Sequence, residues 1–569
     1  MERSGAELIV RSLKEEGVKH LFGVSSTAVL PLLDVIYHHP EVRYVQAQHE
    51  QGGMYMANGY ARVSRSTGVC LVGSGPAITN CISGVAQAYH TAVPSLLIGI
   101  EDGTGVYGLG SSLHHGLDAV SVLKPVTKLA IRVERAARIT DLMRMAFCLT
   151  QTGRRGPVYL GIPGDILYDR VDDSDTELVS PEHSRITRVP RADPQDLARA
   201  AEVLVASERP VILAGGEVTW AQAEAELLEL AELLAIPIIA MEGEKGVVPE
   251  DHPLALGVLS VYDAPLAAHA MRDADVILAV GSPFSQYTTL GFRHRVIPKG
   301  ARIIQIDADP AEVGKIYPVT VGVVGDIRNA LQHLLIEVKE RQGGRNSFME
   351  VPRIQNLLGC KREQHEALVA LAARPSKLVT AARLILDLRK ALPREAIVVG
   401  ESGGTHVWFE YGFEALAPTY GLGSWHPMGA EYSEMLGAKL AMPDRKMVCL
   451  LGDGSLMMAL PELATAGAYG IPLLAVVRHN NCFGNMRDTQ SKRYGGRFIG
   501  TDIPVPHLTN IARECGLYAE RIEEQGQILQ AVKRALESGW PALLEVMMDP
   551  APENLFHPSG ISSEARRIE

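Results

Sequence analysis

LLGDGSLMMALPELATAGAYGIPLLAVVRHNNCFGNM, from Leu450 to Met486, decides how the rest of the chain is read. An apolar strand, Met447 to Leu451, runs into it and breaks at Gly452-Asp453-Gly454. A helix is expected from Ser455 to about Tyr469, then a second buried strand from Ile471 to Val477 leads to His479-Asn480-Asn481. This is a strand, turn, helix, strand unit with its polar residues at the carboxyl ends of two strands, where parallel sheets place their ligand sites. Gly452 and Gly454 let the backbone come close to a ligand, and the helix start at Ser455 offers free N–H groups to a phosphate. Asp453 supplies one hard oxygen ligand and an Asn amide oxygen a second. So sparse a protein shell suits Mg²⁺, which keeps waters and takes further ligands from a diphosphate.

Composition bounds the alternatives. A chain of 569 residues exceeds one core and predicts three domains of ordinary size. A net charge of −11 argues against nucleic acid or anionic membrane as a partner. The seven cysteines (Cys70, Cys81, Cys148, Cys360, Cys449, Cys482, Cys515) are scattered and show no CxxC spacing, so they read as thiols of a reducing compartment. The N-terminal stretch carries charges throughout and lacks the apolar core of a signal peptide, which predicts a cytoplasmic protein. Residues 66–100 hold no Asp, Glu, Lys or Arg, but Gly73, Pro76, Asn80 and His90 interrupt them; a buried strand-helix-strand is expected rather than a membrane span.

By itself GDG is a tight turn. Followed by a helix, a buried strand and an Asn pair, it resembles the diphosphate-binding motif of thiamine diphosphate enzymes. The resemblance continues upstream in YVQAQHEQGGMYMANGYARVSRSTGVCLVGSGPAITN, 44–80, with its HE, GYAR and GSGP elements. That run is similar to the pyrimidine-binding domain of acetolactate synthase and its relatives. The resemblance implies an α/β protein of three doubly wound parallel-sheet domains: pyrimidine-binding (1–180), central (190–340) and diphosphate-binding (375–550), then a tail (551–569) that folds over the site or stays mobile. It implies thiamine diphosphate and Mg²⁺ as cofactors, with Asp453, an Asn and a backbone carbonyl as metal ligands. The 27-position spacing from Asp453 favours Asn480 with the Cys482 carbonyl, His479 then replacing the family's first Asn; Asn481 with Phe483 is the other candidate.

Other roles follow from the same resemblance. Glu50, at a strand-to-helix corner, is the acid beside the aminopyrimidine that helps deprotonate the reactive thiazolium carbon; a lone Glu there would be a helix N-terminal charge. Gly73, Pro76 and Asn80 shape the pyrimidine wall or form a plain βα turn. His114 and His115 look like the paired histidines of pyruvate-type decarboxylases, while LDAVSVLKPVTK after them looks like the carboligase branch, which has Gln at the position of His115. Either histidine could relay protons or simply tie down a loop. Gly404 and Thr405 match the far side of the diphosphate. Met428 lies nine residues before Gly437, the spacing of the apolar residue that props the cofactor in a V shape. His426 lines the mouth or stacks on Trp425.

The central strands PVILAGG, IPIIAM, ADVILAVGS and ARIIQIDADP resemble a domain that in some members holds FAD or ADP. The Arg/Asp-rich string of flavin-containing relatives is replaced by Pro283-Phe284-Ser285-Gln286-Tyr287, and their His-Gly pair is missing near Tyr262-Asp263, so flavin is not expected. Asp307 could hold a ribose or form a turn. Residues 168–193 and 340–375 read as linkers. The expected activity is carboligase or lyase chemistry on 2-oxo acids or 2-hydroxy ketones. Simple 2-oxo acid decarboxylation and acyl-CoA lyase activity are the alternatives, and a non-catalytic cofactor-binding subunit is the reading outside enzymes. A homodimer or homotetramer with sites at the subunit interface is implied.

Overall fold

The computed structural model describes residues 2–186, 190–260, 265–292, 294, 296–342 and 347–549. The tail 551–569 and the Tyr262-Asp263 position lie outside the described residues. Three parallel sheets succeed one another along the chain. The first orders its six strands Arg43–Gln46, His20–Gly23, Gly68–Val72, Ser95–Glu101, Val158–Pro163 and Leu129–Arg132. The second runs Ala255–Leu259, Ile238–Met241, Pro210–Ala214, Val276–Val280, Arg302–Asp307 and Val321–Val324. The third runs Ile397–Gly400, Met447–Gly452, Leu474–His479, Ala542–Met547 and Tyr518–Ile522. Ser95–Glu101 and Val276–Val280 are buried along their whole length, as strands covered by helices on both faces must be. The molecule is a three-domain α/β protein.

Several sequence expectations shift in detail. The helix expected from Ser455 to Tyr469 is two, Asp453–Ala459 and Glu462–Tyr469, because Pro461 lacks the N–H an unbroken helix would need. The strand after it is Leu474–His479, so His479 is its last residue and Asn480 opens the loop. The stretch 168–193 is more than a linker: Arg170–Asp172 pairs antiparallel with Glu2–Ser4, and Asp173 accepts a hydrogen bond from Arg3 Nε at 3.2 Å. Within 340–375 lies the helix Pro352–Ala372, whose charged face hid it from a reading based on apolar periodicity.

One joint ties the first and last domains together. The helices Glu50–Ser64 and Ala430–Ala441 cross with their backbones almost touching. A Cβ on Gly59 would sit 1.9 Å from the Glu434 carbonyl oxygen, and one on Gly437 would sit 1.9 Å from the Met56 carbonyl oxygen. Glycine is required at both places because no side chain fits between the two backbones. Nearby, Gln46 N–H donates to Tyr469 Oη at 2.7 Å, and Gln87 Nε2 donates to the Ser424 carbonyl at 3.1 Å. The central domain docks on the last one through Glu250, which accepts the Ala415 N–H at 2.8 Å and pairs with Lys245 at 2.8 Å. No helix among the described residues is long and apolar enough to cross a membrane.

Candidate active site

The predicted residues gather into two clusters. The first grows from the turn at Gly452. Its strand ends in the sheet, and Asp453, a residue only 2% exposed, opens the next helix. Oδ1 accepts the Gly454 N–H at 2.8 Å, and Oδ2 accepts those of Asn480 at 3.0 Å and Asn481 at 2.6 Å. Asp453 thus reaches across to the end of the neighbouring parallel strand and fixes the loop that follows it. Burial pushes its carboxyl pKa up, against the opposing pull of these backbone N–H groups. A buried carboxylate held by backbone N–H groups offers hard oxygens where a cation could sit.

The two asparagines are placed differently. Asn481 has φ 56°, a left-handed conformation that Asn tolerates better than most residues. Its Oδ1 lies 3.1 Å from His479 Nε2, and His479 Nδ1 lies 2.7 Å from Glu545 Oε1. Asn480 Oδ1 accepts the Cys482 N–H at 3.3 Å, a weaker commitment. Cys482 is buried and pairs with Asp502 in an isolated antiparallel bridge. Facing this turn, Thr405 lies in the first turn of the helix Gly404–Gly412, and its Oγ1 is 3.7 Å from where a Gly452 Cβ would be. Glu401, which is fully buried, accepts the Gly429 N–H at Oε1 at 2.8 Å. Met428, just before Gly429, is 37% exposed, while a Cβ on Gly429 would meet Met458 Cβ at 2.8 Å. Met428 therefore stands at the edge of the Asp453 helix.

The second cluster belongs to the first domain. Glu50 opens its helix behind His49, whose ring caps the Gln51 N–H at 3.2 Å. Asn80 Nδ2 donates to Glu50 Oε2 at 2.9 Å, so the two residues are in direct contact. Asn80 ends the short helix begun by Pro76, which follows the Gly73–Gly75 turn. A Cβ on Gly73 would fall 2.4 Å from Ser26 Oγ. Gly75 has φ 56°, and a Cβ there would fall 2.8 Å from His115 Cβ. His115 Nδ1 is 3.0 Å from Ser74 Oγ, and the His114 and His115 rings stack at 4.1 Å. His114 is exposed and His115 half-buried.

Sequence reasoning passed over Glu462. This buried acid accepts the N–H groups of Gln48 at 3.2 Å and His49 at 3.1 Å, holding the corner that presents Glu50. A single carboxylate inside an apolar helix was the available signal. His426 does not stack on Trp425: its Nε2 lies 2.5 Å from Glu242 Oε1, and His90 is the ring beside Trp425 at 5.8 Å.

Acidic and amide groups thus stand at the carboxyl ends of parallel strands in two domains, where α/β sheets place their ligand sites. Comparison with known proteins narrows the class. Residues 3–122, 197–334 and 401–546 match the N-terminal TPP binding, central and C-terminal TPP binding domains of thiamine pyrophosphate enzymes. The chain is 31% identical to a probable acetolactate synthase large subunit of Methanocaldococcus jannaschii, over 98% of this chain and 94% of that one. It is 31% identical to the acetolactate synthase large subunit of Corynebacterium glutamicum, covering 94% of this chain and 85% of that protein. It is also 29% identical to a sulfoacetaldehyde acetyltransferase of Castellaniella defragrans, over 100% and 97% of the two chains. The chain belongs to the thiamine pyrophosphate-dependent enzymes of acetolactate synthase type, and catalyses the making or breaking of a carbon–carbon bond.

Proposed function

We propose that this enzyme is a Mg²⁺- and thiamine diphosphate-dependent carboligase or lyase acting on 2-oxo acids or 2-hydroxy ketones. The observation that carries the reading is the Asn80–Glu50 contact beside the Gly73–Pro76 turn, in a chain similar to acetolactate synthases over nearly its whole length. The residues fit the cofactor: Asp453 is a buried anion bonded to neutral donors, and Gly452 faces Thr405 with room between them. Asp453, the Asn480 amide oxygen and the Cys482 carbonyl would hold Mg²⁺. Asn480 is preferred because the Asn481 oxygen is engaged by His479. Gly404, Thr405, Gly452, Gly454 and Ser455 would surround the diphosphate, Met428 would support the bend of the cofactor, and Gly73, Pro76 and Asn80 would flank its pyrimidine.

Thiamine diphosphate, when bound, supplies an electron sink for a bond next to a carbonyl carbon. The chain supplies placement and proton handling. Asn80 fixes the plane of the Glu50 carboxyl through Oε2, which leaves Oε1 to hold or pass a proton at the pyrimidine edge. Ser74 holds His115 by Nδ1, leaving Nε2 to deliver a proton to a departing product. The stacked His114–His115 pair favours a second reading, simple 2-oxo acid decarboxylation with protonation rather than capture of the fragment. Mass spectrometry of products from pyruvate, benzoylformate and mixed aldehydes, with and without CoA, separates these readings. Joined carbon skeletons or cleaved 2-hydroxy ketones are expected. Aldehyde and carbon dioxide alone would establish the decarboxylase, CoA-dependent products an acyl-CoA lyase, and no turnover with cofactor bound a non-catalytic subunit.

A further inference from the structure

Two residues before Met428 the chain turns sharply across the seam between the central and last domains. Trp425 and His426 are consecutive non-glycine residues with φ of 74° and 52°. The turn carries the His426 ring to the central domain, with Nε2 2.5 Å from Glu242 Oε1. His406, in the first turn of the helix Gly404–Gly412, aims Nε2 at the same Glu242 oxygen from 3.6 Å. One turn further along that helix, Glu410 Oε1 lies 3.1 Å from His406 Nε2. Ligand atoms of Glu242, His406 and His426 all fall within 4.8 Å of one another. Glu410 is 6% exposed and turns its Oε1 toward the same His406 nitrogen.

The two imidazole rings lie 4.5 Å apart, and both present Nε2 to the Glu242 carboxylate. Two nitrogens and carboxylate oxygens converging on one point are a donor set that one divalent cation would complete.

We propose that Glu242, His406 and His426, with Glu410 as a fourth donor, form a site for a divalent transition-metal ion of the Zn²⁺ class. Two imidazole nitrogens with carboxylate oxygens are a donor set such ions take, whereas Mg²⁺ prefers oxygen alone. Tetrahedral bonds of about 2.0–2.1 Å put donors roughly 3.3 Å apart. The separations of 2.5, 3.1 and 3.6 Å bracket that spacing, so small side-chain rotations seat the ion. The outer partner is in place too: His406 Nδ1 meets the Gly400 carbonyl at 3.1 Å, which orients the ring with Nε2 toward the ion. The ion would staple the central domain to the last one, immediately beside the backbone that sets Met428. The site is separate from the Asp453 turn and stands without the substrate assignment above.

The test uses full-length protein stripped with a chelator, then given Zn²⁺ or Co²⁺ and desalted. One equivalent of Zn²⁺ should be retained, with a melting temperature that rises with Zn²⁺ concentration. Bound Co²⁺ should show a tetrahedral visible absorption without the near-ultraviolet band of cysteine thiolate. His426→Ala and Glu242→Gln should each lower the retained Zn²⁺ by one equivalent, while Asp453→Ala should keep it. If His426→Ala fails to fold by circular dichroism, the nearly isosteric Glu242→Gln decides. Equal retention by wild type and a folded Glu242→Gln, no retention by wild type, or a thiolate-type cobalt spectrum would each overturn the site.

Discussion

At the residue scale, the proposed roles of Glu50 and Asn480 make separate demands. Glu50→Gln keeps the shape of the side chain and its contact with Asn80 but removes the acid. Cofactor retention should survive, while turnover should fall by about a hundredfold or more, the usual effect of losing a positioned acid–base group. Near-normal exchange of the thiazolium proton in the variant would remove Glu50 from the chemistry. Replacing each asparagine by Ala separates the two registers. Asn480→Ala should raise the Mg²⁺ concentration needed for half-maximal cofactor binding at least about tenfold, of the order seen for lost metal-site partners. Asn481→Ala should act mainly by releasing His479, lowering the melting temperature with a smaller change in Mg²⁺ demand. The reverse pattern would move the ligand to Asn481. At this scale the family resemblance singled out Glu50, Asn80, Asp453 and the asparagines after His479 as separate residues, but not the Asn80–Glu50 hydrogen bond. Glu462, Ser74 and the His426–Glu242 contact were not legible, because each joins segments far apart in sequence with no motif to announce the pairing.

The element that carries the most unusual load is the helix Ala430–Ala441. It must press its backbone against Glu50–Ser64, yet it buries Glu431 and Glu434 completely, with Glu401 beside them. Burial pushes Glu401 up to about 7, and burial together with the neighbouring Glu401 pushes Glu431 well above the ordinary carboxyl range, so at least one carboxyl of this group holds a proton at neutral pH. A carboxyl whose folded pKa exceeds its unfolded value of about 4.3 binds its proton more tightly in the folded state. The associated stability is fully present below about pH 4.3 and is lost as pH rises through the folded value. The melting temperature of the wild type should therefore decline between about pH 5 and pH 8. Glu431→Gln supplies a neutral side chain at every pH, so its curve should be flatter over that range. Glu545, held down to about 2, loses its stabilising contribution only in acid and does not enter this window. The raised His479 contributes stability below its unfolded pKa of about 6.5 that fades as pH climbs, equally in both proteins, so it cancels from the difference. Parallel melting curves would show that the acid group does not titrate as argued. Elements with apolar periodicity were readable in advance, from Gly5–Glu15 to Ile528–Glu537. The strands Ala255–Leu259 and Val321–Val324 were missed, since each is a short apolar run between turns with little to set it apart from a loop.

For the whole molecule, the order of three parallel-sheet domains followed from strand and turn signals together with the family motifs, but those signals say nothing about how many chains complete a site. The placement of the clusters bears on that question. Glu50 is bound to Asn80 in the first domain and Asp453 to the Asn480–Asn481 loop in the last, so their direct contacts are distinct. Near the Asp453 turn, Met428, Met458 and Met486 are exposed by 37%, 56% and 57%. Apolar side chains grouped at the rim of a polar site mark a surface that another protein surface covers. We propose a homodimer, or a dimer of such dimers, in which the first domain of one subunit faces the last domain of its partner across the two-fold axis. Each cofactor would then meet Glu50 from one chain and Asp453 from the other. Glu50→Gln subunits and Asp453→Ala subunits should both be inactive alone. Co-expressed with different affinity tags and purified through both, their heterodimers should recover activity, because one of the two sites has both residues intact. About half the wild-type activity is expected if the two sites act independently. Folded, doubly tagged heterodimers that remain inactive would place Glu50 and Asp453 of one site on a single chain.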